Sequence, residues 1–313
     1  MYPFTGAIYS DSTKRGETTI SSASVGNYAL FAGGYDGLAV GSVVDAYDTS
    51  LTRSTPTALS VGRQQLAGAS VGNYALFAGG YSSSSVVDAY DTSLTRSIPT
   101  SLSVARYLLA GASVGDYALF AGGNTSGTVV DAYDTSLTHS NPTALSVARS
   151  QLASASVEGY ALFAGGYNRK ADVDAYDTSL TRSIPTSLSV GRQYLAGASV
   201  GDYAVFAGGI GNTRLAVVDA YDTSLTRSTP TALSVARYQL AGASVGNYAL
   251  FAGGYNRTAV VDAYDTSLTR STPTALSVAR YQLAGASVGN YALFAGGYDG
   301  LAVGSVVDAY SLQ

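Results

Sequence analysis

The segment Ala243–Gly254, ASVGNYALFAGG, returns seven times along the chain, intact or with one or two substitutions. The double glycines that close it, from Gly33-Gly34 to Gly296-Gly297, are spaced 46, 43, 43, 43, 45 and 43 residues apart. A unit of this size cannot bury an apolar face alone, so such a period means stacked units: a solenoid, a propeller or an array.

Within the unit from Arg237 to Leu276, four strands are expected. Strand A, Tyr238–Val245, is built almost entirely of small residues in its middle, and strand B, Tyr248–Gly254, is a continuous apolar run suited to burial on both faces. Strand C, Val260–Asp265, alternates. Strand D, Leu268–Leu276, is polar and holds Pro273, which places it at a sheet edge because proline donates nothing to a ladder. Turn residues separate the strands: Val-Gly-Asn between A and B, and Asp265-Thr266-Ser267 between C and D. A four-stranded antiparallel meander with small residues first and proline last predicts an all-β, seven-bladed β-propeller, strand A at the crowded axis and strand D on the rim.

Strand B occurs seven times but the DTSLTR/H motif of strand D only six, and the last copy stops after strand C. Phe4–Ser10 falls where the missing strand belongs. One domain over 1–313 is therefore expected, residues 1–17 closing the last blade and repeats running from about 18 to 310. Closure also removes sheet edges that would otherwise recruit other chains. Residues Ala23–Tyr47 and Ala286–Tyr310 are identical over 25 positions, which points to recent amplification or to design.

Composition narrows the functional classes. Charged residues make up 12%, about half the ordinary share. The absence of cysteine rules out disulfides, thiolate metal sites and cysteine nucleophiles. A net charge of −4 gives no electrostatic reason to expect nucleic acid. No secretory signal and no run near the ~20 apolar residues of a membrane span is visible, so a soluble monomer without membrane contact is expected, its compartment unassigned.

The double glycine after an apolar strand, the Tyr47-Asp48 pair and the arginine before strand A, such as Arg63, recur in one order from about residue 4 to 310. In this the chain resembles kelch repeats, and among them highly repetitive bacterial and phage sequences. The tryptophan usual in kelch strand D is missing; Ser54 and Thr55 stand in that region of the first unit. The resemblance implies a binding face at the end carrying the B–C loops and D–A connections. There it implicates the arginines Arg63, Arg106, Arg149, Arg192, Arg237 and Arg280. It also implicates Tyr107, Tyr238 and Tyr281, which follow arginines, and Tyr35, Tyr81, Tyr167, Tyr255 and Tyr298, which follow double glycines. Tyrosine and arginine dominate binding hot spots; equally, the arginines could fill gaps between blades and the tyrosines pave a sheet end. Glu17 replaces the arginine before the first blade.

Catalytic sets are not evident. Galactose oxidase, a kelch-like propeller enzyme, uses histidines and a cysteine-linked tyrosine at copper, whereas this chain has one histidine and no cysteine. His139 stands where other repeats carry Arg53, Arg96, Arg182, Arg227 or Arg270, and is expected to be a solvent-exposed substitution on the rim. The strand C aspartates (Asp45, Asp88, Asp131, Asp174, Asp219, Asp262, Asp308) recur in every unit, which suits inter-blade hydrogen bonding better than an acid–base pair in two distinct environments. No cofactor and no metal is expected.

Only the B–C loops vary freely. They place Arg169, Lys170, Arg214 and Arg257 on three adjacent blades, and Asp36 and Asp299 on the first and last, giving a basic arc facing an acidic one. The expectation is a non-enzymatic module that binds a protein segment or a glycan on this face; a scaffold without a ligand, natural or engineered, is the second reading, and a glycan-processing enzyme the third.

Overall fold

In the computed structural model, which describes residues 4–9, 17–82, 84–124, 127–256 and 258–312, the repeats form seven four-stranded antiparallel sheets. In blade 1, strands A to D are Ser21–Val25, Tyr28–Ala32, Val44–Asp48 and Arg53–Ser54. Blades 2 to 6 repeat this plan, and none of the described residues lies in a helix, so none forms a helix long and apolar enough to cross a membrane. Blade 7 takes its first three strands from Ala284–Val288, Tyr291–Ala295 and Val307–Leu312, and its outer strand is Phe4–Tyr9. That closing strand pairs over six positions, from Phe4 opposite Leu312 to Tyr9 opposite Val307, where the covalently connected D strands pair over two. The rest of the expected closing segment, apart from Glu17, lies outside the described residues.

Strands A and D fall furthest short of the residue pattern, while B and C keep to it within two residues. Strand D of blade 6 is only Arg270–Ser271, and strand A begins at Ala241 rather than Tyr238. Leu268 and Gln239, with φ of 59° and 55°, turn the backbone left-handed just before each strand and delay its start, and Pro273, which offers no N–H, lies beyond the end of strand D.

The core lies between blades rather than inside them. Small strand A residues and the B and C strands of blade 2 (Ala67, Leu76, Val87) pack on Ala118, Phe120 and Tyr133 of blade 3. The same contact closes the ring, with Ile20, Phe31 and Tyr47 of blade 1 against Leu293 and Val307 of blade 7. Strand A alternates: Ala67, Ala69 and Val71 enter the seam while Gly68 and Ser70 line the central channel. Each channel serine, Ser24 through Ser287, donates its hydroxyl to the carbonyl of its counterpart one blade back, at 2.6–2.7 Å, and the seven bonds form a closed circle.

Packing at the axis explains the small residues. A Cβ on Gly111 would lie 2.3 Å from the Gly68 carbonyl. Ser154 and Ser22 occupy the equivalent position, and their hydroxyls donate to the neighbouring carbonyl at 2.5 and 2.6 Å. Gly111→Ala is therefore expected to cost about 1–3 kcal/mol in chemical denaturation, and Gly111→Ser distinctly less, because its hydroxyl recovers a hydrogen bond. Equal losses would show that the carbonyl contact does not set the preference.

The double glycine has a tighter role than relaxing the chain before a loop. A Cβ on Gly33 would lie 2.3 Å from the Arg63 carbonyl, and Gly34 donates its N–H to that same oxygen at 2.8 Å. Gly165, Gly166 and Arg192 repeat the arrangement, as do Gly296, Gly297 and Glu17 across the closing seam. The D–A connection of one blade is thereby fastened to the B–C loop of the blade before it.

Candidate functional site

The six arginines expected on the binding face instead lie in the seams, each no more than 2% exposed. Arg192 donates to Asp219 at 2.8 Å and to the Phe206 carbonyl at 3.1 Å. Arg63 with Asp88, Arg106 with Asp131, Arg149 with Asp174, Arg237 with Asp262 and Arg280 with Asp308 form the equivalent pairs. Burial lowers the pKa of these arginines, against the opposing pull of their aspartates. A guanidinium so placed is committed to its carboxylate and to strand carbonyls, so this part of the expected site is corrected: these arginines tie each connection between blades to the blade it leads into, while their backbones bond the blade before. The aspartates fulfil the hydrogen-bonding role expected of them, Asp219 also accepting the Ser189 N–H at 3.0 Å from the connection between blades. Blade 1 lacks the pair; Glu17 is buried there, and Arg53 approaches Asp45 to 2.9 Å where its counterpart Arg227 stays 3.8 Å from Asp219.

His139 is also corrected. Its Nε2 lies 2.6 Å from Asp131 and its ring packs 5.1 Å from that of Tyr133, so it is half-buried rather than a free surface substitution. Burial pushes the Asp131 carboxyl up, but Arg106, the Ser103 N–H and His139 together hold it below the usual carboxylate range. A folded pKa below the unfolded one gives stability that is present above about pH 4 and lost as pH falls through the folded value. Denaturation midpoints should thus hold between about pH 7 and 5 and drop below about pH 4, and Asp131→Asn, weaker at neutrality, should lose less over that acid interval. An equal acid loss in both proteins would remove Asp131 as a cause.

At the arginine end the channel opens into a recess of about 320 Å³. Its floor is Ile20 and the leucines Leu66 to Leu283; its collar is Thr19, Gln65, Leu108, Gln151, Tyr194, Gln239 and Gln282, the second residue after each arginine or its equivalent. All seven collar residues have φ between 54° and 59°. Each donates its N–H to the collar carbonyl one blade back at 3.0–3.3 Å, and the chain of bonds returns on itself. The backbone is uniform and the side chains are not: four amides, a phenol, a hydroxyl and a leucine. Sequence reading stopped one residue short of this collar, although variation at that position was visible.

The tyrosines do reach this face. Tyr255, Tyr281 and Tyr298 border a second recess of about 360 Å³ with Asn256 and Gly300. Tyr238 stacks on Tyr255 with centroids 4.8 Å apart. Tyr81 meets Tyr107 edge to face at 5.3 Å, and the Tyr107 hydroxyl accepts from Asn124 at 2.5 Å. Tyr167 is exposed, and Tyr35 donates to the Gly37 carbonyl at 2.9 Å. The charged arcs are less open than their residue types imply. Arg169 donates to the Asn212 side chain, Arg214 lies over the Tyr255 ring at 5.9 Å, and Lys170 is half-buried. Asp36 and Asp299 cap their own loops, accepting from Leu38 and Leu301 at 2.8 and 2.7 Å. Arg257 lies outside the described residues.

Neither a protein-family model nor a curated protein sequence matches the chain. Among solved structures, the whole chain superposes on 76% of a fungal alcohol oxidase of the AA5 family, solved in complex with copper, with a TM-score of 0.74 and 12% identity. It also matches a structure of YjhT over 96% of this chain and 95% of that one, with a TM-score of 0.58 and 13% identity. At such identity the likeness is one of fold. A copper centre does not fit the residues here: the chain has one histidine and no cysteine, and among the described residues no group of three His, Cys, Asp or Glu could hold a metal.

Proposed function

We propose that this propeller is a kelch-type, non-enzymatic recognition module that takes a protein segment or a glycan on the face carrying the B–C loops and the D–A connections. The observation that supports it is where the repeats differ. Strand cores, seam pairs and channel serines are nearly uniform around the ring, while the collar and loop residues over the two recesses diverge in size and polarity. A leucine-floored mouth rimmed by amides has the makeup of a ligand site, apolar with a few directed polar groups. The binding residues in this reading are the collar amides with Tyr194 and the face tyrosines; Arg169, Lys170 and Arg214 are peripheral.

Glycan and peptide arrays probed with the intact protein at low and moderate salt test the reading. A ligand whose binding falls when Gln151 and Tyr194 are changed to alanine, or when Tyr255 and Tyr281 are, supports recognition at this face. A ligand indifferent to both pairs puts the site elsewhere. Silence on both arrays would favour the second reading, a scaffold without a ligand, which the 25 identical residues of the first and last repeats already suit.

A further inference from the structure

The face is polarised, and its polarity is aromatic. From Tyr194 the rings run without a break through Tyr238, Tyr255 and Tyr281 to Tyr298, with successive centroids 6.2, 4.8, 5.1 and 5.6 Å apart. These five come from three different positions of the repeat: one from the collar, two after arginines and two after double glycines. Elsewhere on the face only Tyr81 and Tyr107 meet in this way among the described residues. Tyr255 and Tyr281 stand at 68° to one another, and Tyr281 and Tyr298 at 80°, so the rings form the corners of the 360 Å³ recess rather than a flat pavement.

Resting on the reading that this face binds a ligand, we infer that the arc from Tyr238 to Tyr298 is the subsite for an unbranched, uncharged oligosaccharide. Three features of the recess select this class. Among the described residues its lining, three phenols, Asn256 and Gly300, carries no formal charge, and Arg214, which lies over the Tyr255 ring at 5.9 Å, is not part of that lining. Phenol and amide groups both donate and accept, matching sugar hydroxyls that do the same. The negative ring faces suit the weakly positive C–H face of a pyranose, as they suit the positive edge of another aromatic ring.

A peptide is disfavoured because its main chain would need free backbone partners. Those beside the arc are spent: Tyr255 donates to the Tyr238 carbonyl at 2.7 Å, and Tyr281 and Tyr298 exchange N–H bonds at 3.1 and 2.8 Å. The backbone N–H groups of the collar are likewise bonded to collar carbonyls around the axis. Affinity would therefore come from ring faces and side chains, which sugars use and extended peptides use only in part.

The chain has no tryptophan, so its emission comes from its 25 tyrosines, and a ligand-induced change is assigned to the arc by its loss in the arc variants. The experiment titrates the intact protein with neutral, unbranched hexasaccharides of glucan, mannan, xylan and chitin type, and with a proline-rich peptide panel. The expected result is saturable change with at least one saccharide, weakened about tenfold or more by Tyr255→Ala and by Tyr281→Ala, since tenfold corresponds to about 1.4 kcal/mol. Ile98→Ala, at an exposed position beside the rim strand Arg96–Ser97, should leave affinity unchanged, and Tyr255→Phe should retain most of it. Tyr255 is 39% exposed, so its variants should keep the parent melting temperature. Saccharide binding indifferent to Tyr255→Ala and Tyr281→Ala overturns the arc but leaves recognition at this face standing. Peptide binding alone, lost in those variants, overturns the sugar class while supporting the face. Failure of every probe counts against both.

Discussion

Asp219→Ala is expected to destabilise the ring by about 3–5 kcal/mol, the cost of stranding a buried charge. Arg192 would keep its guanidinium in the seam with no carboxylate, and it cannot relieve the cost by losing its proton at neutral pH. The Ser189 N–H would lose its acceptor as well. Replacing both partners, Arg192→Met with Asp219→Leu, should recover part of the loss. Recovery would stop short of complete because Arg192 also serves the Phe206 and Val190 carbonyls, at 3.1 and 3.0 Å. Arg227→Ala, whose charge sits 3.8 Å from Asp219 and is partly exposed, should cost about 1 kcal/mol or less. Chemical denaturation of the four proteins decides the matter. A wild-type midpoint in Asp219→Ala would mean that the seam pairs are dispensable.

Removal of residues 1–12 should be comparably severe. The outer edge of Val307–Leu312 would lose all six of its pairing positions with Phe4–Tyr9. At about 1 kcal/mol per backbone hydrogen bond, the direct loss is several kcal/mol, before counting the newly bared edge, which invites association with other chains. The long pairing has a physical reason. Other blades hold their D strand by a short covalent turn, in which Asp48, for instance, accepts from Ser50 and Thr52 at 2.8 Å. The last blade has no such link and must hold its outer strand by added hydrogen bonds. The deletion should melt well below the parent and show concentration-dependent association in light scattering. Appending the strand D sequence of another blade, DTSLTRS, after Tyr310 of the deletion should restore much of the stability. An unchanged melting curve in the deletion would sink the closure model.

The repeat carried the fold. Blade number, strand order and the need for a closing strand were legible because they follow from counting, and the strands from runs of small, apolar or alternating residues that act within a few positions. The site was legible in part. That Tyr238, Tyr255 and Tyr281 belong to one end of the molecule followed from strand direction alone, and the structure adds that they touch. The arginines were ambiguous, because a charge repeated in every unit suits a ligand ring and a buried lattice of ion pairs equally; choosing between them depends on which way Arg192 turns and on how far Asp219 lies from water. His139 lies on the outer strand as expected, but not free in solvent, because its partner Asp131 is set by the fold of its blade.

By itself, then, the chain determined a closed ring of seven four-stranded units, because period, apolar pattern and turn residues are local and additive. Tertiary structure alone decided the left-handed collar, the recesses and the contact between Tyr194, Tyr238 and Tyr255. These depend on the approach of segments distant in the chain, Gln65 and Leu108 around the axis being more than 40 residues apart and Tyr238 and Tyr255 lying on opposite sides of a hairpin. The angle between neighbouring blades sets that approach, and it arises from all seven seams packing at once.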